Sequence, residues 1–214
     1  MNSLNLFFDL DGTITDPFEG ITNSIIYALE KFGIPVEDRQ KLTPFIGPPL
    51  ITSFMTYYSL SAEDAKTAVK FYREYYSENG IFQAEVYRDV PELLTKLSRL
   101  GIKRYIATSK PEPYAERIIE KFGLSSLFDG IAGASFDLSR AEKPQVIDYA
   151  KSRFNAHEGI MVGDRKYDIE GAKLNSLKSV GVTYGYGDRA ELEKAGADFI
   201  VNNPLEILDI IALI

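Results

Sequence analysis

Two carboxylates, Asp9 and Asp11, stand two residues apart just after the apolar run Leu6–Phe8, with Gly12-Thr13 directly behind them. In extended chain, residues i and i+2 point the same way, so the pair shares one site where a strand ends. The apolar run fits a buried strand of a parallel sheet, and Gly12 allows a sharp turn beyond it. Paired carboxylates at the mouth of an α/β sheet suit a divalent cation and acid/base work. Taken alone, the stretch also admits a second reading, a strand closing in an ordinary Asp-Gly turn. Three further stretches add to it. Arg104–Lys110 is strand-like and ends in Thr108, Ser109 and Lys110. Lys143 stands directly before Pro144 and a helical pattern. Gly159–Asp168 is an apolar strand ending in Asp164 and Asp168. Asp164 and Asp168 are four residues apart and face the same way if a helical turn begins there.

The elements that must position these residues follow from periodicity. After Asp16 the chain reads as helical to about Gly80. Pro17 suits a helix start. Ile21, Ile25, Ala28, Leu29 and Phe32 recur at helical spacing, and Gly33 is a C-terminal stop. A second helix is expected from Pro49 to Tyr58. A third opens at Ser61-Ala62-Glu63-Asp64 and runs to Asn79-Gly80. From Asp89 onward strands and helices alternate. Helices are expected from Pro91 to Gly101, Pro111 to Phe122, Pro144 to Phe154, Tyr167 to Leu174 and from Pro204. Strands are expected at Lys103–Thr108, Ile131–Ala134, Ile160–Val162, Ser179–Thr183 and Phe199–Val201. Such alternation implies parallel strands with right-handed crossovers and helices on both faces. The expected fold is α/β: a three-layer Rossmann-like parallel sheet core, residues 1–15 plus 85–214, with an inserted α-helical bundle cap, residues 16–84. Asp9, Ser109 and Asp164 then sit at the C-terminal ends of predicted strands, the edge where open α/β sheets bind ligands.

Composition narrows the function classes. The 214 residues are 45% hydrophobic, enough for one large domain or a domain with an insertion. A net charge of −7 argues against a nucleic-acid-binding surface. The absence of cysteine excludes disulfides and thiolate chemistry. Met1-Asn2-Ser3 lacks the basic segment of a leader, and no apolar run approaches ~18 residues, so no membrane span is expected. The expectation is a cytoplasmic protein, a monomer or weak homodimer. The only histidine, His157, reads as exposed loop, so no zinc set exists.

Order and spacing of these stretches resemble the haloacid dehalogenase superfamily, whose motifs are DxDGT, a Ser/Thr after a strand, a Lys, and GDxxxD. The resemblance spans essentially the whole chain and is strongest to the phosphoglycolate phosphatase-like branch with a helical cap. It implies a magnesium-dependent phosphomonoesterase that acts on a small phosphorylated metabolite through an aspartyl-phosphate. Asp9 is then the nucleophile and Asp11 the general acid/base. Thr13 is a hydrogen-bonding support for Asp11 or a plain turn residue. Ser109 and the amide of Lys110 hold the phosphoryl group, and Lys143 neutralises its oxygens. Magnesium takes the carboxylates of Asp9 and Asp164 and the backbone carbonyl of Asp11, with Asp168 in an outer or water-mediated role. Gly163-Asp164-Arg165 also resembles bacterial relatives described as 5'-nucleotidases, which keeps nucleoside monophosphates open as substrates. A sugar phosphomutase shares the motifs. A catalytically silent regulatory module on the same scaffold is the reading from another class. Arg140 and Arg165 read as surface residues able to reach an anionic substrate. Phe45-Ile46-Gly47-Pro48-Pro49-Leu50 is either a substrate-reading loop or a rigid helix-initiating turn. The aromatics Tyr57, Tyr58, Phe71, Tyr72, Tyr75 and Tyr76 read as cap core. Tyr184-Gly185-Tyr186-Gly187 either lines the cleft or is a plain loop.

Overall fold

The computed structural model describes residues 4–137 and 139–213; Met1-Asn2-Ser3, read above against a leader, lie outside them. Two compact units form: one takes the chain as far as Asp16 and again from Val86 onward, the other is Pro17–Glu85. β1 (Asn5–Phe8) and the short β2 (Thr15–Asp16) open the first unit.

The second unit is helical. It holds α1 (Phe18–Glu30), a 3-10 helix (Arg39–Phe45), α2 (Leu50–Tyr58) and α3 (Ala62–Glu78). α1 buries Ile21, Ile25, Ala28 and Leu29, the stripe its spacing indicates, and packs against α3. Ser61 caps α3 by accepting the Asp64 N–H at 3.1 Å. Phe45 and Ile46 are core residues, and Pro49 precedes the first turn of α2, so the Phe45–Leu50 stretch has the geometry of a helix-initiating turn. The aromatic expectation needs one correction. Tyr72 and Tyr76 are buried and stacked at 5.3 Å, whereas Tyr57 is 51% exposed. Tyr57 only leans on Phe45, because α2 is a surface helix that buries little beyond Ser53 and Phe54.

The chain passes from the second unit back into the first within β3 (Glu85–Val86), and the first unit continues through α4 (Val90–Arg99), β4 (Lys103–Pro111), α5 (Glu112–Lys121), β5 (Gly130–Ala134), α6 (Lys143–Phe154), β6 (Ile160–Gly163), α7 (Lys166–Leu174), β7 (Lys178–Val182), α8 (Arg189–Ala195), β8 (Phe199–Val201) and α9 (Ile207–Ala212). α8 was not foreseen. Seven residues are too few to show a period, although Asp188 caps it and Gly196 stops it. Six parallel strands order as β5-β4-β1-β6-β7-β8, a three-layer α/β arrangement with helices on both faces. Phe7, Tyr105, Ala107, Ala132 and Met161 meet Val146, Ile147 and Ala150 of α6 and Ala172 of α7 in one buried cluster. Phe8 turns the opposite way, edge-on to Phe128. Phe8 stands opposite Ile106 on one side and Val162 on the other. The chain therefore leaves three adjacent strands at one edge of the sheet, with β1 at the point where strand order reverses. Among the described residues no helix is long and apolar enough to cross a membrane.

Candidate active site

The strand ends one residue before Asp9, whose N–H still bonds to Val162 O at 2.9 Å. Beyond it the backbone folds tightly. The N–H groups of Thr13, Ile14 and Thr15 converge on Leu10 O, and Gly12 N–H reaches Thr15 O. Gly12 has φ +83°, and a Cβ there would lie 2.1 Å from Asp164 Oδ2. So Asp9 and Asp11 are not neighbours on one strand face, as the spacing suggested. A turn delivers them to different cations. Asp9 Oδ1 is 2.9 Å from Lys143 Nζ and accepts the Leu10 N–H at 2.8 Å. Asp11 Oδ2 is 2.8 Å from Lys110 Nζ. Burial raises the Asp11 carboxyl above its ordinary range, and Lys110 opposes that rise only in part.

Lys143 is the first residue of α6 and is buried. The start of that helix is held by Gln145, whose Oε1 accepts the N–H groups of Ala141 and Glu142. Lys143 Nζ lies between Asp9 and Asp168, 2.9 and 2.8 Å away, and donates to Ala107 O at 3.2 Å. Burial works to discharge this ammonium, but Asp168 and Asp9 outweigh it and keep it charged.

Asp164 follows β6 and is fully buried. Its Oδ2 accepts the Tyr186 N–H at 2.8 Å, while Oδ1 has no hydrogen-bond partner among the described residues. Burial first, then the charges of Asp168 and Asp9, push its carboxyl well up. Asp168 is the third residue of α7, and its Oδ2 accepts the Arg165 N–H at 3.0 Å. Its acidity is shifted to about 6, chiefly by burial, with Lys143 pulling the other way.

Asp9, Asp164 and Asp168 each offer an oxygen, and these atoms lie within 4.8 Å of one another. An all-oxygen donor set with one buried, unpartnered carboxylate oxygen fits a hard divalent cation of the magnesium type. The Asp11 side chain stands outside this group, committed to Lys110.

Of the two readings of Thr13, the geometry fits the turn residue: its hydroxyl is buried without a hydrogen-bond partner among the described residues, while its N–H bonds to Leu10 O. Ser109 is half-buried at the end of β4. The neighbouring Thr108 hydroxyl accepts the Lys110 N–H at 3.2 Å, where the register against β5 shifts. That amide, expected to hold the phosphoryl group, is thus already engaged, and the Lys110 ammonium joins Asp11 instead. The spacing could not distinguish the two hydroxyls, because the strand runs on past Thr108 to Pro111. Arg165 is paired with Glu191 at 3.0 Å, and Arg140 donates to Gly133 O and stacks on Tyr149. His157 is exposed, and its ring nitrogen meets Asn155 Oδ1 at 3.1 Å. The Tyr184–Gly187 segment, left open by sequence, packs against Asp164 and the Gly12 turn.

The sequence profile described as haloacid dehalogenase-like hydrolase matches residues 6–182. A protein of Pseudomonas aeruginosa named 5'-nucleotidase is 40% identical over 190 residues, covering 88% of this chain and 86% of its own. A phosphoglycolate phosphatase of Vibrio parahaemolyticus is 26% identical over 216 residues, covering 96% of this chain and 95% of its own. The crystal structure of a predicted phosphatase from Clostridium acetobutylicum superimposes with a TM-score of 0.95 at 44% identity, covering 100% of both chains. Three buried carboxylates gathered at the switch point of a parallel sheet stand within the stretch that the profile matches, and the chain belongs to the haloacid dehalogenase-like hydrolases, in their phosphoglycolate phosphatase-like branch.

Proposed function

We propose that this phosphatase hydrolyses a small phosphorylated metabolite through a phosphoryl group carried transiently on Asp9. The observation that carries the reading is Lys143 Nζ held between Asp9 and Asp168 with Asp164 beside them. The Lys143 ammonium and the Leu10 N–H both meet the Asp9 carboxylate at Oδ1, which leaves Oδ2 to meet phosphorus. Asp9 Oδ2 forms a bond to phosphorus as the ester P–O bond breaks. Asp11, kept protonated more readily by its burial, gives a proton to the departing alkoxide. Asp11 then takes a proton from the water that releases phosphate from Asp9. Lys143 balances the equatorial phosphoryl oxygens throughout. Magnesium, held by Asp9 and Asp164, supplies further neutralisation of phosphoryl charge. Asp168 serves by orienting Lys143, since its oxygens are engaged by Lys143 and the Arg165 amide.

Two substrate classes follow from the relatives. Phosphoglycolate is one. Nucleoside 5'-monophosphates are the other, favoured by the higher identity to the protein named 5'-nucleotidase. The test is phosphate release from both classes and from sugar phosphates, with magnesium and after chelation, for the wild type and Asp9→Asn. Turnover of at least one class, lost on chelation and in Asp9→Asn, is expected. Release from no substrate, or an Asp9→Asn rate like the wild type, overturns the reading.

A further inference from the structure

The segment Tyr184-Gly185-Tyr186-Gly187 leaves β7 and runs against the most buried acid of the site. Three backbone approaches enclose Asp164. A Cβ on Gly185 would lie 2.3 Å from Gly12 O and 2.6 Å from Asp164 Oδ2. A Cβ on Gly187 would lie 1.9 Å from Asp164 O. One on Gly12 would meet the same Oδ2 at 2.1 Å. Only bare backbone fits this close, so the loop is pressed against the carboxylate and main chain of Asp164 and the Gly12 carbonyl. The loop makes one polar contact to that carboxylate, the Tyr186 N–H to Oδ2 at 2.8 Å, and leaves Oδ1 without a partner among the described residues. One oxygen is tethered and the other is left over.

The loop is tied down by its two phenols. Tyr184 OH donates to Thr13 O at 3.0 Å, and the Tyr184 ring meets Tyr87 edge-on at 5.0 Å. Tyr186 OH donates to Asp16 Oδ1. Both acceptors belong to the stretch that begins with Asp9 and Asp11. The phenols therefore bind the loop that holds Asp164 to the segment that carries Asp9.

We propose that Tyr184 and Tyr186 are positioning residues for the cation site: their hydroxyls hold the loop so that the Tyr186 amide fixes Asp164 Oδ2 and aims Oδ1 at the metal. This rests on the reading that Asp9 and Asp164 hold a divalent cation. A hydrogen-bonded partner behind a metal ligand is worth about 10–100-fold in metal affinity. An indirect tether of this kind belongs at the lower end.

The test is calorimetric titration of magnesium alone into chelator-stripped protein, with thermal unfolding of the metal-free forms alongside. Tyr184→Phe, Tyr186→Phe and the double variant keep the rings and remove only the hydroxyls. Each single change is expected to raise the magnesium Kd by about 10-fold and the pair by more. Asp164→Asn is the companion. If it leaves the Kd as in the wild type, the cation-site reading itself fails. If Asp164→Asn loses magnesium while all three tyrosine variants bind like the wild type, the positioning role is overturned, whatever happens to their melting temperatures. Should the double variant not fold, the two single variants decide the question.

Discussion

Replacing Lys143 with Met removes an ammonium held between two buried carboxylates, and the size of the effect can be worked from the geometry. The lysine side chain is only 3% exposed, with Nζ 2.9 Å from Asp9 and 2.8 Å from Asp168. At an effective dielectric of about 20, each contact is about 6 kcal/mol of gross attraction before desolvation is set against it. Severing a buried pair costs about 3–5 kcal/mol after solvation and relaxation are counted. In a chain of this size 1 kcal/mol moves Tm by about 2–4 °C, so Lys143→Met should lower it by about 6–20 °C. The assay is thermal unfolding at neutral pH in chelator. Asp168→Asn in the same background should recover part of the loss, because the two changes share one interaction. Phosphate release should fall by about 10² or more, as for other lost charge stabilisers. A Tm drop under about 2 °C, below 1 kcal/mol, would refute the view that Lys143 holds the carboxylates together.

Gly12→Ala forces a side chain into positive φ and onto Asp164 Oδ2, so denaturant unfolding should show a loss of more than about 1–2 kcal/mol, and an unchanged midpoint would contradict the close approach. Asp129 gives a pH effect. Burial would raise its carboxyl, but the Lys103 ammonium and the Arg104 backbone and guanidinium overcome this and hold it below its ordinary 3.8. A lowered acid contributes stability above its unfolded pKa and loses it as pH falls through the folded one. Asp129→Asn should therefore reduce stability at neutral pH and flatten the decline below about pH 4, measured as denaturation midpoint against pH; parallel curves for both proteins would contradict it.

Much of this molecule is legible in one dimension, for reasons that are local. Leu6–Phe8 and Ile160–Val162 are apolar on every side because a central parallel strand is covered on both faces, and a continuous apolar run has few other uses. Ile21, Ile25 and Leu29 mark their helix because only one stripe of it is buried. Asp9 and Asp164 stood out because they close predicted strands at the sheet edge that binds ligands, whereas Lys143 and Asp168 stood out through the order of the stretches and its resemblance to the family motifs. What tertiary structure decided is which charge meets which. Spacing put Asp9 and Asp11 on one face; the turn around Leu10 O sent them to Lys143 and Lys110. Thr13 stood open as support for Asp11 or as a turn residue, and its hydroxyl has no hydrogen-bond partner among the described residues; of the neighbouring hydroxyls that end β4, it is Thr108 that accepts the Lys110 amide. The Tyr184–Gly187 loop read as two glycines in any loop, because the atoms that demand them belong to Asp164 and Gly12, on neighbouring strand ends far earlier in the chain. Period and composition report how each segment meets solvent, whereas ion pairs and close backbone approaches are properties of segments that meet only after the sheet has formed.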